Sequence, residues 1–317
     1  MTGKIIDKIL SALKQSKNVL IVSHVDPDCD TLGSALAFSL ILKNLEIKHK
    51  LFCENTIPDE YKFLPNCEKY IHRLNHEEKF DLCVVLDCSD IKRIGLRYMN
   101  NISEIINIDH HLDNTMFGKI NYVEQAAATA VLVVKIIKKL RIKIDKPMAV
   151  CLYAAIITDT GSFRYDNTTS DVFELAAELV DSGADPFVIS KTIYENKSIP
   201  NIKILGEVLN KLEVYSGKIA WTYIDVNTLK KFGASPSDLS GIVDFLRSIK
   251  GVEVSVFARE YAPGKIKINL RSKGPNIQKI AKKFGGGGHP KASGIDMSGD
   301  IKQIKKELIS SIKSTIL

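Results

Sequence analysis

Short apolar runs alternate with longer helical repeats through the first half of the chain, and that alternation predicts a parallel α/β sheet. The strand-like runs are "NVLIVS" from residue 18, "KHKLFC" from 48, "FDLCVVLDCS" from 80 and "SEIINIDHH" from 103. Between and after them the apolar spacing becomes helical. An amphipathic, lysine-bearing segment occupies the first 18 residues, and further helices are expected over 31–44 and 127–140. "KPMAVCLYAAIITDTGSF" from 146 carries Asp159 near its end, and "SDVFELAAELVDSG" opens with the N-cap candidate Ser170 and stops at Gly183.

From about residue 190 the pattern changes. "YENKSIPNIKILGEVLNKL" reads as a connector that contains a helix, and "KIAWTYIDV", "VEVSVFARE" and "KIKINLRSK" as strands of a separate sheet. "IQKIAKKF" is a short helix running into "GGGGHPKASG", and the last 18 residues form an amphipathic helix whose lysines make a wet face. The expected division is therefore a first α/β domain over 1–189, a helical linker over 190–214 and a smaller α/β domain over 215–317. A chain of 317 residues exceeds one ordinary core, and 45% apolar residues suffices for two.

Charge adds an asymmetry. Residues 1–194 hold 23 Lys+Arg against 26 Asp+Glu, giving −3, whereas residues 195–317 hold 21 against 11, giving +10. An acidic half suits cations and a basic half suits a polyanion, nucleic acid or phosphate. No apolar run reaches the roughly 18 residues of a membrane span, and no export signal is visible. The six cysteines, at 29, 53, 67, 83, 88 and 151, show neither a C-x-x-C pair nor a zinc or disulfide spacing, so reduced thiols in a cytoplasm are expected.

The candidate chemistry lies at the ends of the apolar runs. His24, Asp26, Asp28 and Asp30 follow the first, Asp87 ends another, Asp109, His110 and His111 end the last, and Asp159 ends a helix. In a parallel sheet all strand C-termini share one edge, where open α/β folds place ligands. Carboxylates crowded there repel one another unless a cation neutralises them. Imidazole and carboxylate donors without thiolates suit Mn²⁺, or Mg²⁺, and more than three donors implies two ions, roughly 3.5 to 4 Å apart in such sites. His49, His72 and His76 lie away from these patterns and read as surface residues.

At "IDHH", residues 108–111, the constellation resembles the DHH phosphoesterase superfamily. "HVDPDCD" is similar to its first motif, "VLD" to its second and "TDTGSF" to its fourth, while residues 270–294 resemble its DHHA1 substrate-binding domain. Length and motif order match the nanoRNase/pAp phosphatase branch. The resemblance implies one metal site built from His24, Asp28 and Asp87 and another from Asp30, Asp87, His110 and Asp159, with Asp87 bridging. It makes Asp109 an orienting residue, sets His111 toward the substrate phosphate, leaves Asp26 at a variable position, and places the active site in the cleft between the domains. At "DCDT" relatives commonly carry Gly where this chain has Cys29, which asks whether the loop takes an ordinary φ here.

In the second half Gly285, Gly286, Gly287 and Gly288 expose backbone N–H groups, His289 follows as a phosphate donor, and Arg271 offers a planar fork. The function expected from the resemblance is metal-dependent hydrolysis of very short single-stranded RNA, dimers to pentamers and linear dinucleotides such as pGpG, and dephosphorylation of 3′-phosphoadenosine 5′-phosphate (pAp). A homodimer is the candidate assembly. The alternatives are another DHH phosphohydrolase, a polyphosphatase or a short-DNA exonuclease, and a nucleotide sensor that binds without cutting.

Overall fold

In a computed structural model of the protein, residues 2–75, 77–95, 101–239 and 241–316 are described, and His76 lies outside them. The chain divides into two compact units, Met1–Asn196 and Lys197–Leu317.

The first unit holds a six-stranded sheet of β1 (Val19–Val22), β2 (His49–Phe52), β3 (Tyr70–Ile71), β4 (Phe80–Leu86), β5 (Ile102–Asp109) and β6 (Ile120–Val123). Its order is β3-β2-β1-β4-β5-β6 and every pairing is parallel. The chain builds outward from β1 in one direction and then restarts beside β1 with β4, so the strand order reverses between them. That reversal opens a crevice beyond the strands' C-terminal ends.

Among the described residues this unit holds the α-helices α1 (Thr2–Gln15), α2 (Cys29–Asn44), α3 (Thr129–Leu140), α4 (Lys146–Asp159), α5 (Ser170–Asp181) and α6 (Pro186–Tyr194). The main core joins one sheet face to α1 through α6, from Ile9 and Leu13 to Phe38, Ile137 and Leu152. Among the described residues the other face, with Leu20, Val22 and Val85, is covered by loop residues such as Leu74, Ile91 and Phe117. Burial on both faces explains why β1 and β4 read as continuous apolar runs.

Two expectations need adjustment. Ser170 is the first residue of α5, the N-cap is Thr169, and neither side chain caps the helix. His49 is half-buried, with Nε2 2.7 Å from Ser39 Oγ and Nδ1 2.8 Å from Ile47 O, and so ties α2 to β2. His72 is exposed.

The second unit opens with α7 (Ile199–Asn210), the helix of the expected connector, whose Ile204 and Val208 are buried there. Its sheet comprises β7 (Glu213–Tyr215), β8 (Ile219–Ile224), β9 (Val254–Ala262), β10 (Lys265–Ser272), β11 (Gly287–Gly288) and β12 (Ala292–Ser298), in the order β11-β12-β10-β9-β8-β7. β8 and β9 pair in parallel, and the other pairings in this order are antiparallel among the described residues. α8 (Val226–Lys231) and α9 (Ile242–Arg247) sit between β8 and β9 in sequence, and α10 (Ile277–Lys283) precedes β11. α10 and α11 (Ile301–Ile316) cover one face, while α7 and α9 cover the other. Among the described residues no helix is long and apolar enough to cross a membrane.

One close approach sets how the first unit packs. α4 runs antiparallel to α2, and a Cβ built on Gly33 would lie 2.4 Å from the Cys151 carbonyl oxygen and 3.1 Å from Ala155 Cβ. Gly33→Ala should therefore destabilise the protein even though alanine favours a helix by about 1 kcal/mol. Overpacking costs about 1–3 kcal/mol, and a carbonyl inside a helix has little room to yield. A lower urea midpoint at unchanged slope is the expected result, and an equal or higher midpoint would show that the two helices can separate freely.

Candidate metal centre

β1 delivers the first polar cluster. His24 Nδ1 lies 2.8 Å from the Val25 carbonyl, which fixes the ring so that Nε2 faces inward, 3.7 Å from Asp28 Oδ2 and 3.6 Å from Asp87 Oδ2. Asp28 has two tasks. Its Oδ1 accepts from the Asp30 and Thr31 amides, each at 3.1 Å, as the N-cap of α2, which leaves Oδ2 for the site. Cys29 begins that helix without a positive φ, fully buried, with its thiol pushed well up by burial. The glycine-to-cysteine departure thus costs no backbone strain, and the thiol is inert.

Asp87 directly follows β4 in a left-handed conformation, φ 57°, with its amide bonded to Ile108 O at 3.0 Å. Its two oxygens point to different neighbours. Oδ2 faces His24, while Oδ1 accepts from Thr129 Oγ1 at 3.0 Å and lies 3.5 Å from His110 Nε2. His110 is held like His24, with Nδ1 3.0 Å from the Ala126 carbonyl, and its Nε2 also lies 3.4 Å from Asp159 Oδ2 and 3.9 Å from Asp30 Oδ2. Asp159 arrives as the last residue of α4, brought to the start of α2 by the antiparallel packing. That end carries the negative pole of the helix and worsens the crowding of carboxylates.

Asp30 is almost wholly buried and accepts from Ser34 Oγ at 3.0 Å, Thr129 N at 2.6 Å and Ala130 N at 3.1 Å. The N-cap position of α3 is Ala128, whose methyl group cannot accept a hydrogen bond, so Asp30 caps that helix from 99 residues upstream. His111 points its Nδ1 at Asp109 Oδ1, 2.6 Å away, and Asn114 Nδ2 donates to Asp109 Oδ2 at 2.5 Å. Asp109 is fully buried, and His111 Nδ1 lies 3.6 Å from Asp87 Oδ1.

Three groups of donors thus form around Asp87, each with ligand atoms within 4.8 Å of one another: His24, Asp28 and Asp87; Asp30, His110 and Asp159; Asp87, Asp109 and His111. Nitrogen and carboxylate donors with oriented imidazoles fit divalent cations. The electrostatics show the same demand for positive charge. Burial opposes protonation of His24, yet the Asp28 and Asp87 carboxylates outweigh it and raise its pKa to about 10. His110 is likewise lifted to about 10 against its burial by Asp159, Asp87 and Asp30. Withdrawal from water, reinforced by the Asp87 and Asp28 charges, pushes Asp159 up to about 7. Burial works against ionisation of Asp87 as well, but the surrounding imidazoles hold it well below the carboxylate range.

Comparison with known proteins accords with this geometry. Residues 18–156 match the model of the DHH family, N-terminal domain, and residues 216–316 match the DHHA1 domain. A probable bifunctional oligoribonuclease and PAP phosphatase NrnA from Streptococcus mutans is 30% identical, covering 95% of this chain and 98% of that protein. The chain belongs to the DHH family. A DHH relative from Thermus thermophilus, named bifunctional oligoribonuclease and PAP phosphatase NrnA, is 29% identical over 99% of this chain and 94% of its own. The crystal structure of an exopolyphosphatase-related protein from Bacteroides fragilis superposes with a TM-score of 0.87 at 29% identity, covering 98% of this chain and 96% of that one.

In the second unit the strand register brings the expected substrate-binding residues of this DHH protein together. Arg271 on β10 pairs with Ala292 of β12, and the next β12 residue, Ser293, pairs with Gly288 of β11. His289 begins the turn between β11 and β12, its amide donating to Ala292 O at 2.7 Å. The glycine run is only partly an open loop. A Cβ on Gly286 would meet Gly294 O at 2.2 Å and one on Gly288 would meet Ala292 O at 2.5 Å, whereas Gly285 and Gly287 face open space. Arg271 Nε donates to Asp244 Oδ1 at 3.2 Å and Nη1 to the Leu270 carbonyl at 3.1 Å, so part of its fork is already engaged.

Sequence reasoning passed over Thr129, Asn114 and Arg93. The last is half-buried with Nη2 3.4 Å from His24 Nδ1. The only signal for it was a basic residue six positions after Asp87.

Two outcomes follow from these distances. Because a divalent ion must displace protons that His24 and His110 hold up to about pH 10 and Asp159 up to about 7, metal affinity should climb as pH rises from about 6 to 9, with proton release. Calorimetry in two buffers of different ionisation enthalpy reads this directly, and a pH-independent affinity would remove the histidines from the ligand set. Asp87→Ala should weaken both ions and Asp28→Ala only one. The loss of turnover for Asp87→Ala should exceed the roughly 10- to 100-fold that loss of an outer partner costs. Retention of one full-affinity ion in Asp87→Ala would rule out bridging.

Proposed function

We propose that this DHH protein is a metal-dependent phosphoesterase that hydrolyses very short oligoribonucleotides, linear dinucleotides such as pGpG among them, to mononucleotides and dephosphorylates pAp. The observation that carries the reading is the two-sided placement of Asp87, each oxygen facing a different histidine-carboxylate group. The relatives named as oligoribonuclease and PAP phosphatase match over nearly the whole of both chains, which supports the substrate class.

His24, Asp28 and Asp87 would hold one ion and Asp30, Asp87, His110 and Asp159 the other. The donor set favours Mn²⁺, with Mg²⁺ as the alternative. Such a pair of cations lowers the pKa of bound water and stabilises charge developing on phosphoryl oxygens. The side chains supply the rest. The Nδ1 bonds of His24 and His110 keep their Nε2 atoms aimed inward, and Asp109, itself held by Asn114, fixes His111 with Nδ1 bonded so that Nε2 is the nitrogen presented on the far side of the ring. His111 would donate to the phosphate or to the departing oxygen.

The second unit, with Arg271, the 285–288 glycines and His289, would grip a phosphate other than the one being cut, drawn by that half's positive balance. Six free, buried cysteines accord with work in a reducing cytoplasm. A homodimer remains part of the proposal, to be read by sedimentation.

The decisive assay follows RNAs of two to about 24 nucleotides, pAp and polyphosphate in parallel with Mn²⁺. Release of mononucleotides from dimers faster than from long RNA is expected. Cleavage of polyphosphate alone would replace the RNA reading, and binding of dimers without cleavage would make the protein a sensor. Arg271→Ala should lower kcat/KM on RNA dimers about 10- to 150-fold, the worth of a charge-assisted contact of about 1.5–3 kcal/mol. It should lose far less on bis-p-nitrophenyl phosphate, which has no second phosphate. Equal losses on both substrates would move Arg271 to the chemical centre or the fold.

A further inference from the structure

Arg93 lies beside His24, on the Nδ1 side of its ring. It closes a single helical turn, Ile91–Arg93, just past β4, and that turn is fastened at three points. Asp90 Oδ1 accepts from Lys92 N at 2.9 Å, Arg93 N donates to Asp90 O at 3.0 Å, and Val25 N donates to Arg93 O at 2.7 Å. The last contact ties the turn to the loop that carries His24. Ile94, 1% exposed, anchors it from below. The Arg93 backbone is therefore tied to both strand-end loops.

What the guanidinium faces is the informative part. Nη2 lies 3.4 Å from His24 Nδ1, but that nitrogen gives its proton to the Val25 carbonyl and has no lone pair to offer. No carboxylate pairs with Arg93 among the described residues. A half-buried guanidinium next to a candidate metal ligand, with no carboxylate partner among the described residues, is an unusual arrangement.

The charge balance of the centre gives this group a purpose. The carboxylates of Asp28, Asp30, Asp87 and Asp159 would neutralise two divalent ions, which leaves nothing in excess for an anionic substrate. A phosphodiester brings one negative charge, and attack by hydroxide adds a second in the transition state. We propose that Arg93 binds the non-bridging oxygens of the phosphate being cut and offsets the charge that develops on them. This rests on the phosphoesterase reading above. The planar fork suits two oxygens of one phosphate, a match that lysine lacks.

The test uses the full chain loaded with Mn²⁺. Arg93→Ala should lower kcat/KM about 10- to 150-fold on RNA dimers and on bis-p-nitrophenyl phosphate alike, because both present a phosphate to the metals. That parallel loss distinguishes it from Arg271→Ala. Calorimetry with inorganic phosphate should show at least about tenfold weaker binding to the variant, Arg93→Lys should recover only part of the loss, and the number of bound metal ions and the melting temperature should stay as in the parent. Full activity on bis-p-nitrophenyl phosphate, unchanged phosphate affinity, or loss of a metal ion in Arg93→Ala would each overturn the assignment. If the parent cleaves neither substrate, the phosphoesterase reading fails, while the phosphate titration still decides whether Arg93 binds the anion.

Discussion

Four carboxylates pressed into one crevice repel one another, and much of the first unit is arranged around tolerating that. Asp28, Asp30, Asp87 and Asp159 come from a loop, a helix start, a strand end and a helix end, so no local stretch of sequence carries the whole strain. Hydrogen bonds absorb part of it. Asp28 spends one oxygen on the start of α2, Asp30 spends both on Ser34 and the start of α3, and Asp87 takes a hydroxyl from Thr129. What remains is a shortage of positive charge that two imidazoles cannot meet and divalent cations can.

The sheet explains why this arrangement was partly visible in advance. Strands buried on both faces must read as unbroken apolar runs, so β1, β4 and β5 declared themselves, and the polar residue at the end of each run marked the common edge. β3 was missed because two residues leave too short an apolar signature, and β6, "INYV", because Asn121 interrupts its apolar run and most of the strand is only half-buried. β12 was hidden for another reason. "ASGIDMS" is rich in small and polar residues and takes its strand character from pairing with β10 across seven positions, a tertiary influence that no local pattern records.

Within the site, residue types were legible and atoms were not. That His24 and His110 belong with carboxylates follows from where they sit in the sequence. That both lock Nδ1 onto a backbone carbonyl depends on loops at Val25 and Ala126 whose course is set only when the unit packs. Arg93 and Asn114 were lost among ordinary loop residues, since a lone basic or amide side chain after a strand is far more often a surface group. The tetraglycine carries a second demand that its composition did not reveal. Gly286 and Gly288 are needed because the β12 backbone leaves no space for a side chain.

The cap that Asp30 places on α3 also bears on how the chain acquires its structure during synthesis. The ribosome releases β1 and the beginning of α2 before any of α3, so the acceptor is made long before the amides it will serve. Until β4 and β5 have joined β1, Thr129 and Ala130 have no such partner, and α3 can form its middle turns but not a settled first one. Seating that first turn therefore needs the two distant segments already packed together. The same carboxylate that helps define the cation pocket thereby reports that the sheet beneath it is complete.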